Sequence, residues 1–345
     1  MNPNMAFYAV NTKIITRKSN ILDSKDWNKF IESTSLEQLT DLLKNNIEYG
    51  KIFKEANINE GGRVNLETAL SRLRKIELES LLHYFSGDYK EFLKTFLMEE
   101  EINDLTLLLR MVSRGESLEG IKERFVHSDL FATLDFDDLL TVKNIEQLTK
   151  KLKGTIYYNG LRNLTKEDAL KREFHIEMKL YVVLYKTLFE AAEKLDKEDK
   201  VAAKDIIGLK IDLLNVQWIF RALKYYKISP EEILIYSLEG GRKISYDKLK
   251  NLCYSKSMDD FKKLVKSYIE YDIFKDLNDS EIDINVVIDS YMFNYLKSKS
   301  YNNVGTAVSF TYLLDIIIND LTSITEGVMY DVPKDKLKGY LAYKI

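Results

Sequence analysis

Cysteine is almost missing from this chain of 345 residues, where Cys253 stands alone. No internal disulfide can form, and a single thiol points to a reducing compartment. Its expected place is the core, as a small apolar side chain. Proline is nearly as scarce, at Pro3, Pro230 and Pro333. Proline removes a backbone donor and clashes inside a helix, so its scarcity leaves room for long helices. Glu173 to Tyr226 has no proline and one glycine, Gly208. Strand signals are weak: no two alternating β-branched runs flank a tight Asn-Gly or Asp-Gly turn. Apolar runs are short, such as Leu180 to Tyr185 and Ile316 to Ile318, against the roughly 20 residues that a membrane-spanning helix needs. A chain that does not cross a bilayer is expected. The opening MNPNMAFYAV lacks the basic and apolar regions of a signal peptide. Net charge is −3 with both signs interspersed, which argues against a nucleic-acid surface.

Catalytic groupings are equally sparse. The histidines are His83, His127 and His175. Glu79 and His83 share a helix face at i, i+4, and His175 precedes Glu177 by two. Metal sites in helical bundles need several such ligands converging, so these are expected to be surface or core polar residues, and no metal site is assigned. One cysteine and three dispersed histidines offer no nucleophile with an oriented base, so no catalytic or cofactor-binding residue is assigned. Glu60-Gly61-Gly62-Arg63 and Glu239-Gly240-Gly241-Arg242 lack the spacing of a phosphate loop and read as turns.

What the chain does have is a segment that occurs three times. Leu36 to Ile52 reads LEQLTDLLKNNIEYGKI, and Ile145 to Leu161 reads IEQLTKKLKGTIYYNGL, with eight of 17 pairs identical. A weaker copy, Met258 to Phe274, reads MDDFKKLVKSYIEYDIF. Three columns survive throughout: Lys44/Lys153/Lys266, Ile47/Ile156/Ile269 and Tyr49/Tyr158/Tyr271. A long fixed period sets architecture. It predicts three units over residues 1–114, 115–227 and 228–345, each large enough for its own core.

Within each copy apolar residues fall at helical spacing: Leu36, Leu39 and Leu43; Ile145, Leu148 and Leu152; Met258, Phe261 and Val265. Each helix then runs into an Ile-x-Tyr step, read as a packed helix end. Upstream, Trp27/Phe30, Phe136/Leu139 and Leu249/Leu252 predict a short helix before each signature helix. Longer helices are expected from Leu66 to Phe85 and Phe174 to Leu195, with joints at 57–64, 114–117 and 228–245. Glu101 and Arg110 match Asp212 and Arg221 in spacing. Nine positions is too far for a one-turn pair, so contacts to neighbouring helices are favoured over a partner-facing role. INDLT occurs at Ile102 to Thr106 and again at Ile318 to Thr322, which puts Glu326 where Arg110 stands. The 22 tyrosines and 16 phenylalanines are expected to fill helix interfaces, with some left for protein contacts.

These residues resemble the C-type subunit family of V-type (A/V-type) ATPases, related to the eukaryotic d-type subunit. The resemblance covers essentially the whole chain. It rests on the threefold repeat, on Tyr8-x4-Lys13 running to Ile21-Leu22, and on L-x3-L-x3-I-x-Y at Leu39 and Leu148. It rests also on Asp212-x2-Asn215-x5-Arg221 and on Gly240-Gly241. Lys13 and Thr322 stand where the family usually has arginine. The resemblance implies an all-α protein of three similar helical units around a pseudo-threefold axis, shaped like a funnel. It implies a non-catalytic central rotor subunit, without cofactor, on the cytoplasmic face of the membrane. A rotor part of this kind couples the central-stalk subunits to the proteolipid rotor ring for rotary ion transport and touches the membrane only through the ring. The residues taken as the repeat signature are Tyr49, Tyr158, Tyr271, Glu101, Arg110, Asp212 and Arg221. The alternative is an unrelated cytosolic helical-repeat adaptor, which would form an open superhelix.

Overall fold

The computed structural model describes residues 3–20, 24–46, 50–55, 58–171, 173–226, 228–275 and 283–343. Among the described residues there are nineteen α-helices and no strand, as the scarcity of proline and of strand signals predicted.

The three sequence copies fold alike at their starts. Short helices Ser24–Glu32, Phe136–Leu139 and Tyr246–Cys253 precede signature helices Leu36–Lys44, Ile145–Lys151 and Met258–Ile269. Trp27, Phe30, Phe136, Leu139, Leu249 and Leu252 are all buried, so the expected short helices exist and face inward. Each signature helix opens on the same reciprocal cap. Ser35 Oγ accepts from Gln38 N (3.2 Å) while Gln38 Oε1 accepts from Thr34 N (2.9 Å). Asn144 Oδ1 accepts from Gln147 N and Gln147 Oε1 from Lys143 N, both at 2.9 Å. Ser257 Oγ accepts from Asp260 N (3.1 Å) and Asp260 Oδ2 from Lys256 N (3.0 Å). The first N–H groups of a helix have no partner inside it, so a short polar residue followed three positions later by Gln or Asp fixes where each helix starts.

The helix ends differ from expectation. Ile269 is buried and ends its helix at Glu270, which is left-handed with φ 61. In the second copy Ile156 is 45% exposed and Tyr158 half-buried, whereas Tyr157 is fully buried. The Ile-x-Tyr step is therefore not a shared packed end: after Leu152 the second copy leaves helix for turns, and this phase brings the intervening tyrosine inside. Ile47 and Tyr49 lie outside the described residues, as do Ile21 and Leu22.

By spatial compactness the chain forms two units. The first comprises residues 1–74, 196–235 and 239–345. Its centre is the helix Gly305–Met329, against which Lys197–Arg221, Ile284–Ser298, Pro3–Asn20 and Leu36–Lys44 pack. Phe220, Phe261 and Phe274 form an aromatic cluster with centroids 6.3 to 6.4 Å apart. The second unit comprises residues 75–195 and 236–238. There Glu173–Ala192 and Ile145–Lys151 pack on Met98–Arg114, burying Leu105, Leu108, Leu148, Leu180 and Leu184. Sequence periodicity records internal likeness and compactness records contact density, so the two divisions describe different properties.

Gly305–Met329 is long and apolar enough to cross a membrane by length and composition, with a mean hydropathy of 1.3. The short unbroken apolar runs gave no hint of this, because threonines and serines space them out. In the fold 72% of that window is buried, as for a core helix. The joint expected at 114–117 falls at Gly115, which caps Met98–Arg114 with φ 69. The one at 57–64 lies inside Ile58–Leu82 and survives as a kink at Gly62, φ 53; Asn57 is outside the described residues. Cys253 is free and buried.

Candidate functional site

Three buried aspartates repeat along the chain with one geometry. Asp104 Oδ2 accepts from Val126 N and His127 N, both at 2.8 Å. Asp212 accepts from Lys243 N (2.7 Å) and Ile244 N (3.1 Å). Asp320 accepts from Ala342 N (2.8 Å) and Tyr343 N (2.9 Å). Each carboxylate is at most 3% exposed and sits on a long helix: Met98–Arg114, Lys197–Arg221 or Gly305–Met329. Each grips two consecutive backbone amides of a non-helical segment downstream. A buried ionised carboxylate is tolerated only where several donors compensate its lost water, and paired amides supply that.

Around Asp212 the backbone comes unusually close. Arg242 N donates to Gly208 O at 3.1 Å, and a side chain on Gly208 would crowd Arg242 N and Gly240 O at 3.1 Å. A Cβ on Gly241 would collide with the Asp212 carboxylate itself. Gly240 has φ 91, a left-handed conformation that glycine adopts freely. The turn expected at Gly240-Gly241 is thus a turn that wraps a carboxylate. Burial pushes the Asp212 carboxyl up to about 6, against the opposing pull of the Lys243, Ile244 and Arg242 amides and the Arg242 charge. Burial pushes Asp320 up to about 7, with Asp289 adding to the rise and the two amides opposing it.

The segments held by Asp104 and Asp320 carry rings that meet the next short helix. His127 stacks on Phe136 at 4.0 Å and 12°, and its Nδ1 lies 2.7 Å from Asp104 Oδ2. Tyr343 stacks on Trp27 at 5.1 Å and 19°. Phe136 and Trp27 occupy the same position of the repeat.

The spacing of acid to arginine had paired Asp212 with Glu101. The hydrogen bonds pair it with Asp104 and Asp320 instead. A slip of three positions is close to one helical turn and keeps the same face, so spacing could not separate the two registers. The INDLT repeat did carry the signal, since Asp104 and Asp320 are its central residues. Glu101 is buried and binds the same downstream stretch, accepting from Thr133 N (2.7 Å) and Thr133 Oγ1 (2.6 Å). Burial raises its carboxyl, with Thr133 and Tyr157 pulling the other way. Arg110, Arg221 and Tyr158 are half-buried. Tyr271 is 44% exposed and packs on Tyr291 at 5.3 Å. Tyr49 is outside the described residues.

The histidines do not converge. His83 is exposed, and Glu79 accepts from Ser128 Oγ at 2.6 Å. His175 lies edge-on to Phe174 and Tyr236. Among the described residues no group of His, Cys, Asp and Glu is placed to hold a metal ion. In each of the three arrangements a carboxylate on a long helix holds two backbone amides of a non-helical segment.

These features define an all-α protein in which buried aspartates on three long helices each hold a pair of backbone amides further along the chain. Its sequence matches the ATP synthase (C/AC39) subunit family over residues 10–340, and the chain belongs to that family. It is 24% identical to the C-type subunit of the A-type ATP synthase of Methanosarcina acetivorans, over 97% of this chain and 92% of that one. The corresponding A-type ATP synthase protein of Archaeoglobus fulgidus is 23% identical, over 96% and 94%. That of Methanocaldococcus jannaschii is 28% identical, over 72% and 62%. The chain is accordingly an accessory subunit of a V/A-type ATPase, associated with other subunits of a membrane-associated complex, and not itself an enzyme.

Proposed function

We propose that this chain is the central rotor subunit that couples the stalk of the ATPase to its membrane proteolipid ring. The observation that carries the reading is the family match across residues 10–340. The relatives it aligns with nearly end to end are named as the C-type subunits of A-type ATP synthases. In this reading the units 1–114, 115–227 and 228–345 stand around a pseudo-threefold axis as a funnel. The funnel's opening receives the foot of the stalk, and the protein sits on the cytoplasmic face, touching the membrane only through the ring.

Two features support it. The same carboxylate clamp recurs three times, so each unit hands on to the next in one way. The third clamp leads onward to Trp27, in the first unit, which favours a closed cycle over an open superhelix. A body that transmits torque must resist shear between its parts, and buried charge-assisted hydrogen bonds give directional resistance that apolar packing alone does not. The repeat-signature residues then serve packing between helices and not chemistry.

The test is affinity capture of the tagged protein from detergent-solubilised membranes, read by mass spectrometry. Recovery of stalk and proteolipid subunits together is expected. Recovery of soluble partners alone, without any ATPase component, would overturn the reading.

A further inference from the structure

The three clamps share their chemistry but not their covalent setting. Residues 126 and 127, held by Asp104, lead directly along the chain into the short helix Phe136–Leu139. Residues 243 and 244, held by Asp212, lead directly into Tyr246–Cys253. Residues 342 and 343, held by Asp320, meet the short helix Ser24–Glu32 only through space. That contact is specific. Tyr343 is sandwiched, stacked on Trp27 and edge-on to Phe293 at 5.3 Å. Leu341 and Ala342 are buried. Lys334 Nζ, on the helix Lys334–Gly339, donates to Ile31 O at 2.7 Å, 303 positions away, and also to Ser33 O. Those carbonyls close the short helix of the first repeat, and a cation there also meets the negative end of its dipole.

We propose that residues 334–343 form a detachable strap, supplying to the first repeat by non-covalent contact the entry segment that the other two repeats receive through the chain. The strap lifts without unfolding the helices beneath it. Pro3–Asn20 and Leu36–Lys44 pack directly on Gly305–Met329, so the first repeat stays docked when the strap leaves. What departs is the short helix Lys334–Gly339 with its buried Leu337, then Leu341, Ala342 and the Tyr343 ring, with two clamped amides and the Lys334 ammonium. Sub-global openings of this kind lie below the global free energy of unfolding. Tyr330 and Asp331, just before the strap, are exposed, and Asp331 takes a left-handed φ of 50. That is an uncommon conformation for a residue with a side chain and places a natural pivot at the strap's base.

The test is native-state hydrogen exchange on the full chain, comparing amides that have the same kind of partner. Ala342 and Tyr343 are expected to exchange at least about tenfold faster than Lys243 and Ile244, with the interior amides of Gly305–Met329 as protected as those of Lys197–Arg221. Tyr343→Ala should then speed exchange at 342 and around residues 31–33 while leaving 243 and 244 unchanged. Equal protection at the Asp320 and Asp212 clamps would overturn the proposal. So would a Tyr343→Ala variant whose amides all exchange faster by one common factor, because the segment would then belong to the global core.

Discussion

Removing the Asp212 carboxylate tests the clamp most directly. Asp212 is fully buried and accepts from Lys243 N and Ile244 N. In Asp212→Ala both amides lose their partner in a site sealed by Gly208, Gly240 and Gly241. Hydrogen bonds to a charged group contribute about 1.5–3 kcal/mol each. Against that stands relief from burying a charge. A carboxyl pushed up to about 6 from 3.8 means that ionisation in the folded state costs about 3 kcal/mol more than in the unfolded chain, at about 1.4 kcal/mol per pH unit. The balance is a loss of up to about 3 kcal/mol at pH 7, or a fall in melting temperature of up to roughly 12 °C for a unit of this size. Asp212→Asn keeps the shape and one acceptor without the charge, so at pH 7 it should cost less than about 1 kcal/mol. The pH dependence separates the two effects. A carboxyl raised in the folded state binds more protons there than in the unfolded chain, so stability is highest below about pH 4 and declines as pH rises to about 6. Asp320 declines in the same direction up to about 7. Asp212→Asn should therefore flatten part of the decline and leave the Asp320 part. The assay is urea denaturation followed by circular dichroism at 222 nm between pH 4 and 8. If Asp212→Ala is more stable than the parent at pH 7, or Asp212→Asn keeps the full pH slope, the clamp argument fails.

The other clamps and caps give matching expectations. Asp104→Ala and Asp320→Ala also strand two buried amides each, and Asp320→Ala should cost less at pH 7 than Asp212→Ala because its carboxyl is pushed up further, to about 7; the reverse order in urea melts would break the reasoning. Gly241→Ala should cost at least about 2 kcal/mol, since its Cβ has no room beside Asp212, whereas Gly339→Ala meets open space and should be silent in thermal melts. Ser35→Ala, Asn144→Ala and Ser257→Ala should each cost about 1 kcal/mol through loss of the cap. Double substitutions should then add, as these sites share no partner.

Some of this was legible without coordinates. The helical class followed from three prolines and from apolar residues at i, i+3 and i+7. The short helix before each signature helix followed from paired apolar residues such as Trp27 and Phe30. These are local properties, set by backbone sterics and by which side chains share a helix face, and both are written in residue order. The caps were equally local: Ser35-x2-Gln38, Asn144-x2-Gln147 and Ser257-x2-Asp260 stand in the sequence as plainly as the repeat that follows them.

Other features were decided only in three dimensions. The INDLT repeat tied Asp104 to Asp320, but helical spacing alone did not say that Asp212 aligns with Asp104 and not with Glu101, because a one-turn slip keeps the same face. The choice fell to which carboxylate two distant amides could reach. Nor did the sequence show that Tyr157 would be buried while Ile156 faces outward, because the turn after Leu152 resets the phase of the chain. The stack of Tyr343 on Trp27 joins opposite ends of the numbering, and no periodicity foretells a contact between residues that far apart. Sequence periodicity fixes what repeats; burial and the geometry of distant donors fix which residues meet.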